Sequence, residues 1–280
     1  MRKGVDVGGS FVKVLWEDGR TEKHDVRPVK NDRGAFLKTL REIILKGRPT
    51  GVGIAVAGFT SLDGTVYSSP NLRVLDGVNL KELLPELPLV VGNDVTLAAF
   101  GEWYYDHRDA KLLLFVAVGT GLGAGLTYEG RPFFGACGSA LELGHHAVEK
   151  GGAPCRCGRR GCLEAYCSSY GLTRLYGEPV SDAEVIKRAL SGEERALKAV
   201  EVFKDYLLTG LANAVHLFNP DRLVLGGGVI KGLKPLLNGL GDELKKRVES
   251  LPASCLKLAF TKAEEFAGAR GALAWALERL

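Results

Sequence analysis

"RKGVDVGGSFVKVLW" fills residues 2–16, and its reading decides the fold. Apolar and polar residues alternate over 2–7 and again over 11–16, the period of a half-buried strand, and "GGS" at 8–10 joins the two runs as a tight turn. "EDGR" at 17–20 then turns the chain into a third strand near 21–27. The same order returns further along. "KLLLFVAVGTGLGAGLTY" at 111–128 is a strand, a glycine turn at 119–123 and a second strand, and "EGR" at 129–131 makes another hairpin. Helical segments come after each opening. The expectation is an α/β protein of two duplicated domains facing each other across a cleft.

The intervening segments fit that class. "NDRGAFLKTLREIILKG" at 31–47 offers Asn31 or Asp32 as N-cap, sets Phe36, Leu37, Leu40, Ile43 and Ile44 on one face, and stops at Gly47. Buried strands are expected at 51–58 and 88–92, with a helix over 95–107. Further helices are expected at 181–192, 195–218, 232–249 and 266–279, and short strands at 222–226 and 256–260. The expected domain division is 1–107, completed by 266–280, and 108–265, with a cysteine-rich insertion at 145–164.

Composition narrows the function classes. With 46% hydrophobic and 25% charged residues over 280 positions, the chain has the balance of a folded globular protein. A net charge of +4 without a dense Lys/Arg block argues against a nucleic-acid partner. The longest apolar run, "LLLFVAV" at 112–118, is too short to span a bilayer, and the chain enters its first strand too early for a signal peptide. A cytoplasmic location is therefore expected, where cysteines stay reduced and favour metals over disulfides.

Three strands end in glycine. Asp6 closes the first and is followed by Gly8, Gly9 and Ser10, with Lys13 beyond; Gly119, Thr120, Gly121 and Gly123 follow the strand at 111–118; and Gly226, Gly227 and Gly228 stand ahead of a helix. Glycine lets backbone N–H groups approach a phosphate closely, and Ser10 and Lys13 add a donor and a charge. None of the three matches the P-loop or a clean GxGxxG opening a helix. Each alone reads better as a tight hairpin; together they point to a nucleotide.

In "HHAVEKGGAPCRCGRRGC" at 145–162 the spacing is His145-x9-Cys155-x-Cys157-x4-Cys162. One imidazole and three thiolates complete a tetrahedral zinc shell with no place for water, so the metal is expected to be structural. The zinc deaminases need H-x-E and P-C-x-x-C, and "HHAVE" and "PCRC" supply neither. By spacing alone His146 could replace His145. Cys137, Cys167 and Cys255 read as small core residues.

Taken together, "DVGGS" (6–10), "PNL" (70–72), "GND" (92–94), "GTGLGAG" (119–125), "ELGH" (142–145), "CRCGRRGCLE" (155–164) and "LGGG" (225–228) resemble the ROK family of sugar kinases and sugar-responsive repressors, in order and over essentially the whole chain. The resemblance implies an actin-like, hexokinase-like ATPase fold whose two lobes close on a sugar and Mg-ATP. By that match His145 is the zinc ligand and His146 is not. Asp94 resembles the catalytic base; Asn93, Asp94, Glu142, His145 and Glu164 resemble the sugar binders, with Gly58 and Asn71 as additional contacts. Asp6 would hold Mg²⁺ through water, the turns at 8–13 and 119–123 would hold phosphates, and Gly226–Gly228 would sit near the adenosine. The family also implies a homodimer or homotetramer. Asp94 retains a second reading as the N-cap of the helix after it, Glu164 one as a solvated acid at a helix start, and Asn71 one as a turn residue.

Two positions depart from the family pattern. Leu141 stands where glycine is usual ahead of "ELGH", and Ser10 where threonine is commoner. The repressor branch carries a helix-turn-helix domain ahead of the first phosphate turn, and here that turn begins at residue 6. The expectation is therefore an ATP-dependent hexose kinase with glucose as first choice of acceptor. N-acetylmannosamine, N-acetylglucosamine and fructose are the alternatives, and a non-catalytic sugar sensor is the rival of another class.

Overall fold

The structure, a computed structural model, describes residues 1–280. In chain order the first elements are β1 (Arg2–Val7), β2 (Phe11–Trp16), β3 (Thr21–Asp25), α1 (Arg33–Leu45), β4 (Gly51–Val56), β5 (Phe59–Thr60), β6 (Thr65–Ser68), β7 (Val78–Asn79), α2 (Leu80–Leu83), β8 (Leu89–Asn93) and α3 (Asp94–Asp106). Then come β9 (Leu112–Val118), β10 (Leu122–Tyr128), β11 (Arg131–Pro132), α4 (Ser169–Tyr176), α5 (Asp182–Leu190), α6 (Glu194–Phe218), β12 (Arg222–Gly226), α7 (Gly228–Leu233), α8 (Leu240–Lys245), α9 (Ser250–Cys255), β13 (Lys257–Phe260) and α10 (Ala267–Arg279). Two five-stranded sheets share one plan. The first runs β3-β2-β1-β4-β8 and the second β11-β10-β9-β12-β13, with a small β5-β6-β7 sheet beside them. In each large sheet a hairpin edge gives way to three parallel strands, β1, β4 and β8 or β9, β12 and β13. The duplication read from the glycine turns is present.

The chain packs into two compact units. One comprises Met1–Asp109, Gly125–Ala140 and Glu265–Leu280; the other comprises Ala110–Ala124 and Leu141–Glu264. The first unit thus takes in 125–140, which the sequence reading assigned to 108–265.

Alternation along β1 builds the first unit. Val5 and Val7 join Phe36, Leu40 and Ile44 of α1 in one apolar core. Lys3, on the same face and fully buried, donates from its ammonium to the carbonyls of Ile43 (2.9 Å) and Lys46 (3.0 Å), closing the end of α1. The intervening residues face α10. A Cβ on Gly4 would lie 1.9 Å from the Ala269 carbonyl oxygen, and one on Gly53 of β4 1.8 Å from that of Ala272. Gly271 of α10 approaches α3 as closely, with the Leu97 carbonyl 1.9 Å from the space a Cβ would need. The C-terminal helix therefore lies on the sheet backbone to backbone.

In the second unit β9 and β12 bury Leu113, Leu114, Val116, Leu223 and Leu225, and α6 buries Phe203, Leu207 and Leu211. The expected helix over 232–249 is broken instead: Pro235 lies in a single 3-10 turn and Gly239 takes a left-handed φ of 77°, so α7 and α8 are separate. Cys167 is a core residue as expected, whereas Cys137 and Cys255 are exposed and have no part in a core. No helix is long and apolar enough to cross a membrane.

Gly53→Ala tests the backbone contact of α10. Its methyl meets a carbonyl that neither a rotamer change nor a flexible side chain can move aside. The expected outcome is a loss of at least about 3 kcal/mol, read by chemical denaturation, or failure to accumulate as folded protein.

Candidate active site and metal centre

Each unit carries its own set of functional groups. In the first, the β1–β2 hairpin closes through the Gly8 N–H on the Phe11 carbonyl (3.1 Å), and Ser10 stands exposed at its tip. Gly9 packs on Asn71; a Cβ there would fall 2.9 Å from the Asn71 carbonyl oxygen. The hairpin turn and the expected sugar contact are thus neighbours. Asp6, by the same alternation that turns Gly4 toward α10, meets the first turn of that helix, and Gly268 leaves room for its carboxylate. Lys13 lies directly across from Asp6 in the β1–β2 register, yet its ammonium donates to the Glu265 carbonyl (2.6 Å) rather than extending along the turn.

At the end of β8, Asn93 caps α3. Its Oδ1 accepts the N–H groups of Val95 and Thr96, each at 3.0 Å, and its Nδ2 donates to the Gly58 carbonyl (3.0 Å). Gly58 has φ 129° and its missing Cβ would strike the Ser68 carbonyl, so only glycine fits there. The capping role that Asp94 could have filled belongs to its neighbour. Asp94 is the first helical residue, partly exposed, with its carboxylate uncommitted to the cap.

Desolvation pushes the Asp6 carboxyl up to about 7, and the charge of Asp94 adds to the rise while Lys13 opposes it. Asp94 is raised too, by desolvation, against hydrogen bonds from Val95, its own backbone and Asn93. Two carboxylates therefore repel one another in the same unit without a cation between them. That is the electrostatics of a site built for a divalent ion or for proton transfer.

In the second unit, the 119–123 turn is held from three directions. The Gly119 N–H reaches the Gly121 carbonyl (2.9 Å), the Gly119 carbonyl accepts from the Ser169 N–H (2.8 Å), and the Leu122 N–H donates to Glu164 Oε2 (3.0 Å). A Cβ on Gly121 would come within 2.5 Å of that same carboxylate oxygen. Thr120 is exposed, and Gly119 and Gly228 have open space where a side chain would be, room for a ligand's approach. Gly226 and Gly227 are glycines for packing, the one against Phe115 and Thr261, the other at φ 90° against the Val118 backbone.

His145, Cys155, Cys157 and Cys162 converge, their ligand atoms all within 4.8 Å of one another. Cys155 Sγ is 3.8 Å from His145 Nδ1, and Cys157 Sγ is 3.7 Å from Cys162 Sγ. Bonds of about 2.3 Å to sulfur and about 2.0 Å to nitrogen around a tetrahedral zinc require separations of this size, so the donor set fits the ion and fills its shell. His146 turns away, with Nδ1 2.5 Å from the Leu143 carbonyl oxygen and Nε2 3.4 Å from Asn213 Nδ2. Metal on Nδ1 of His145 leaves Nε2, which lies 3.9 Å from Glu142 Oε2, as an N–H donor facing that carboxylate. The two roles expected of His145 thus use different nitrogens.

Leu141 takes a backbone conformation that favours glycine. Its φ is 62°, a left-handed value that is strained for leucine, and the next residue, Glu142, sits at φ −71°, ψ 52° in an inverse γ-turn closed by the Leu143 N–H on the Leu141 carbonyl (2.7 Å). The strain bends the chain just where Glu142 and His145 project.

Several supporting residues carried no sequence signal. At Cys157 desolvation would raise the thiol, but hydrogen bonds from the Arg159 backbone and guanidinium outweigh it and favour the thiolate a metal needs. Glu149 accepts from Tyr166 (2.5 Å) and Tyr206 (2.7 Å), whose stacked rings lie 3.8 Å apart and fasten the cysteine loop to α6.

Two duplicated α/β sheets with glycine turns after their first strands define the actin-like, hexokinase-like ATPase fold. Its match to a glucokinase from Streptomyces griseus, solved with glucose and AMPPNP, has a TM-score of 0.81 at 26% identity and covers 99% of each chain. The family model described as ROK family matches residues 2–279, and the chain belongs to that family. A glucokinase of Halalkalibacterium halodurans is 33% identical over 274 residues, covering 83% of both chains. A kanosamine kinase of Amycolatopsis mediterranei is 32% identical over 272 residues, covering 89% of this chain and 88% of that one.

Two outcomes test these sites. Protein purified without added zinc is expected to hold one zinc ion per chain by elemental analysis, and Cys157→Ser to lose it while the 145–164 loop becomes the first point of proteolytic cleavage. Asp6→Asn is expected to raise the melting temperature. An acid whose folded pKa is raised takes up protons on folding, so its effect on stability worsens as pH climbs from the unfolded value near 4 through about 7. The advantage of Asp6→Asn should therefore grow between pH 5 and pH 8, to about 1–2 kcal/mol after allowance for solvent at the carboxylate.

Proposed function

We propose that the protein is an ATP-dependent hexose kinase, transferring the γ-phosphoryl group of ATP to a sugar hydroxyl, with glucose as the favoured acceptor. The observation that carries the reading is Asp94. Asn93 takes the cap of α3, and desolvation raises the Asp94 carboxyl toward the range in which a carboxylate is a useful base. The glucokinase and kanosamine kinase relatives support a sugar as the acceptor. The nucleotide bound by the Streptomyces griseus glucokinase supports ATP as the donor.

Asp94 accepts the proton of the attacking hydroxyl, O6 in a hexose, as the oxygen reaches phosphorus. Asn93, Asn71, the Gly58 backbone, Glu142, Nε2 of His145 and Glu164 are the sugar contacts. The N–H groups of the 8–10 and 119–123 turns carry phosphate oxygens, and Gly228 leaves room beside the adenosine. Asp6 fits an Mg²⁺ site because its carboxylate is desolvated and carries the added repulsion of Asp94, while the Lys13 ammonium donates to Glu265. Mg²⁺ would supply positive charge to the β- and γ-phosphates. Zinc, held by four protein ligands, has no open position and only shapes the loop that presents Glu142 and His145.

Other sugars of the same class, N-acetylmannosamine, N-acetylglucosamine, fructose or kanosamine, are distinguished by a hexose panel with Mg-ATP and coupled ADP detection. Asp94→Asn tests the base. Its kcat should fall by about 10²–10⁴ with sugar KM within a few fold. In the parent kcat should decline on the acid side with a midpoint above the ordinary carboxylate value, because only the ionised carboxylate accepts a proton. A variant with near-parental turnover, or one that keeps the same acid limb, refutes the assignment.

A further inference from the structure

We infer that Tyr170 is a positioning residue that ties the carboxylate of Glu164 to the metal ligand Cys155, so that one hydroxyl couples the order of the cysteine loop to the grip on the acceptor sugar. The inference rests on the reading of Glu164 as a sugar contact.

Tyr170 is the second residue of α4. Its hydroxyl donates to Glu164 Oε1 at 3.2 Å and lies 3.6 Å from Cys155 Sγ. Arg156, between the metal ligands Cys155 and Cys157, covers the ring with its guanidinium 4.2 Å from the centroid. The other oxygen of Glu164, Oε2, is already fixed by the Leu122 N–H at 3.0 Å. Oε1 thus takes the Tyr170 hydroxyl and, at 3.8 Å, the Cys155 thiol, while Oε2 takes the Leu122 N–H. With a metal on Cys155 the sulfur would be a thiolate and no longer a donor, so without the Tyr170 hydroxyl Glu164 would keep a single tether at Leu122 and turn about its last torsion. A hydroxyl has one proton and here two acceptors. A metal on Cys155 would draw density from the sulfur and leave Oε1 as the stronger acceptor, so a loaded loop would be the state in which Glu164 is held at both ends. The same contact supports the thiolate from outside the ligand shell, a place where lost hydrogen bonds commonly weaken metal sites by 10–100-fold.

Tyr170→Phe removes the hydroxyl and keeps the ring under Arg156. It should release zinc to a competing chelator about 10-fold more readily than the parent, with a melting temperature unchanged when zinc is saturating. At saturating zinc its sugar KM should rise about 10-fold while kcat stays within about twofold, and sugar affinity measured by calorimetry should fall in step. A ring that only fills space would move neither the chelator competition nor KM. Glu164→Gln serves as the reference. If it raises sugar KM and zinc-saturated Tyr170→Phe does not, the positioning role is overturned while the sugar reading stands. If Glu164→Gln leaves sugar KM unchanged, the reading of Glu164 fails and the inference with it.

Discussion

The constraint on which the first unit depends is the contact of the C-terminal helix with β1 and β4. Backbone carbonyls of α10 occupy the space where side chains of Gly4 and Gly53 would be, and Gly271 grants α3 the same approach. Such a contact has no adjustable parts. Because side chains alternate along a strand, fixing Gly4 against α10 also fixes the direction of the side chain two positions further on. That residue is Asp6, and it is delivered to the first turn of the same helix, where Gly268 makes room for it. The acid ahead of the first glycine turn is therefore placed by the packing of the core, from an element more than two hundred residues away in sequence. A helix held by side chains could slide under pressure from a ligand; one held backbone to backbone gives the carboxylate a rigid wall.

The same economy governs the opposite face of β1. Val5 and Val7 fill the core with α1, and Lys3 spans that core to the last carbonyls of the helix, under the Trp16 ring at 4.4 Å. Desolvation brings its pKa down to about 8. The first strand thus buries two ionisable groups, each at a helix end: Lys3 at the C-terminus of α1, where a cation suits the unpaired carbonyls, and Asp6 at the N-terminus of α10, where an anion suits the unpaired N–H groups. Lys3 has donated to its partners, whereas Asp6 remains poised. That asymmetry distinguishes a satisfied charge from one held under desolvation and repulsion.

How much of this was legible depends on which interactions carry a sequence period. Both hairpin openings, α1 and α6 fall where alternation and helical spacing put them, because those elements bury one face along their whole length. The small sheet of β5, β6 and β7 was missed; strands of two to four residues are too short to show a period. The break between α7 and α8 was signalled by Pro235 and Gly239 but hidden under a continuous apolar spacing. At the site, the cysteine spacing announced the metal cluster, since loop ligands must lie close in sequence to meet in space. Spacing left His145 and His146 equivalent, and geometry separates them: only His145 turns an imidazole nitrogen to the sulfurs. Long-range ties were invisible. Nothing local says that Glu265 will engage Lys13 or that Glu164 will accept the N–H of Leu122.

Leu141 shows how such ties can preserve a site against an unfavourable residue. In isolation leucine resists a φ of 62°, by roughly 1–2 kcal/mol. The conformation persists because both neighbours are committed: the γ-turn at Glu142 closes on its carbonyl, and four residues later His145 is pinned in the cysteine cluster. Gly144, between them, lies against the Leu122 carbonyl with no room for a side chain. The segment is held at both ends and at its middle, so the strain at Leu141 cannot relax without dismantling the metal loop or the 119–123 turn. The closure of the cysteine loop thereby sustains a local conformation that the sequence at that position disfavours. The carboxylate of Glu142 is aimed by the loop's closure rather than by the intrinsic preference of the residues beside it.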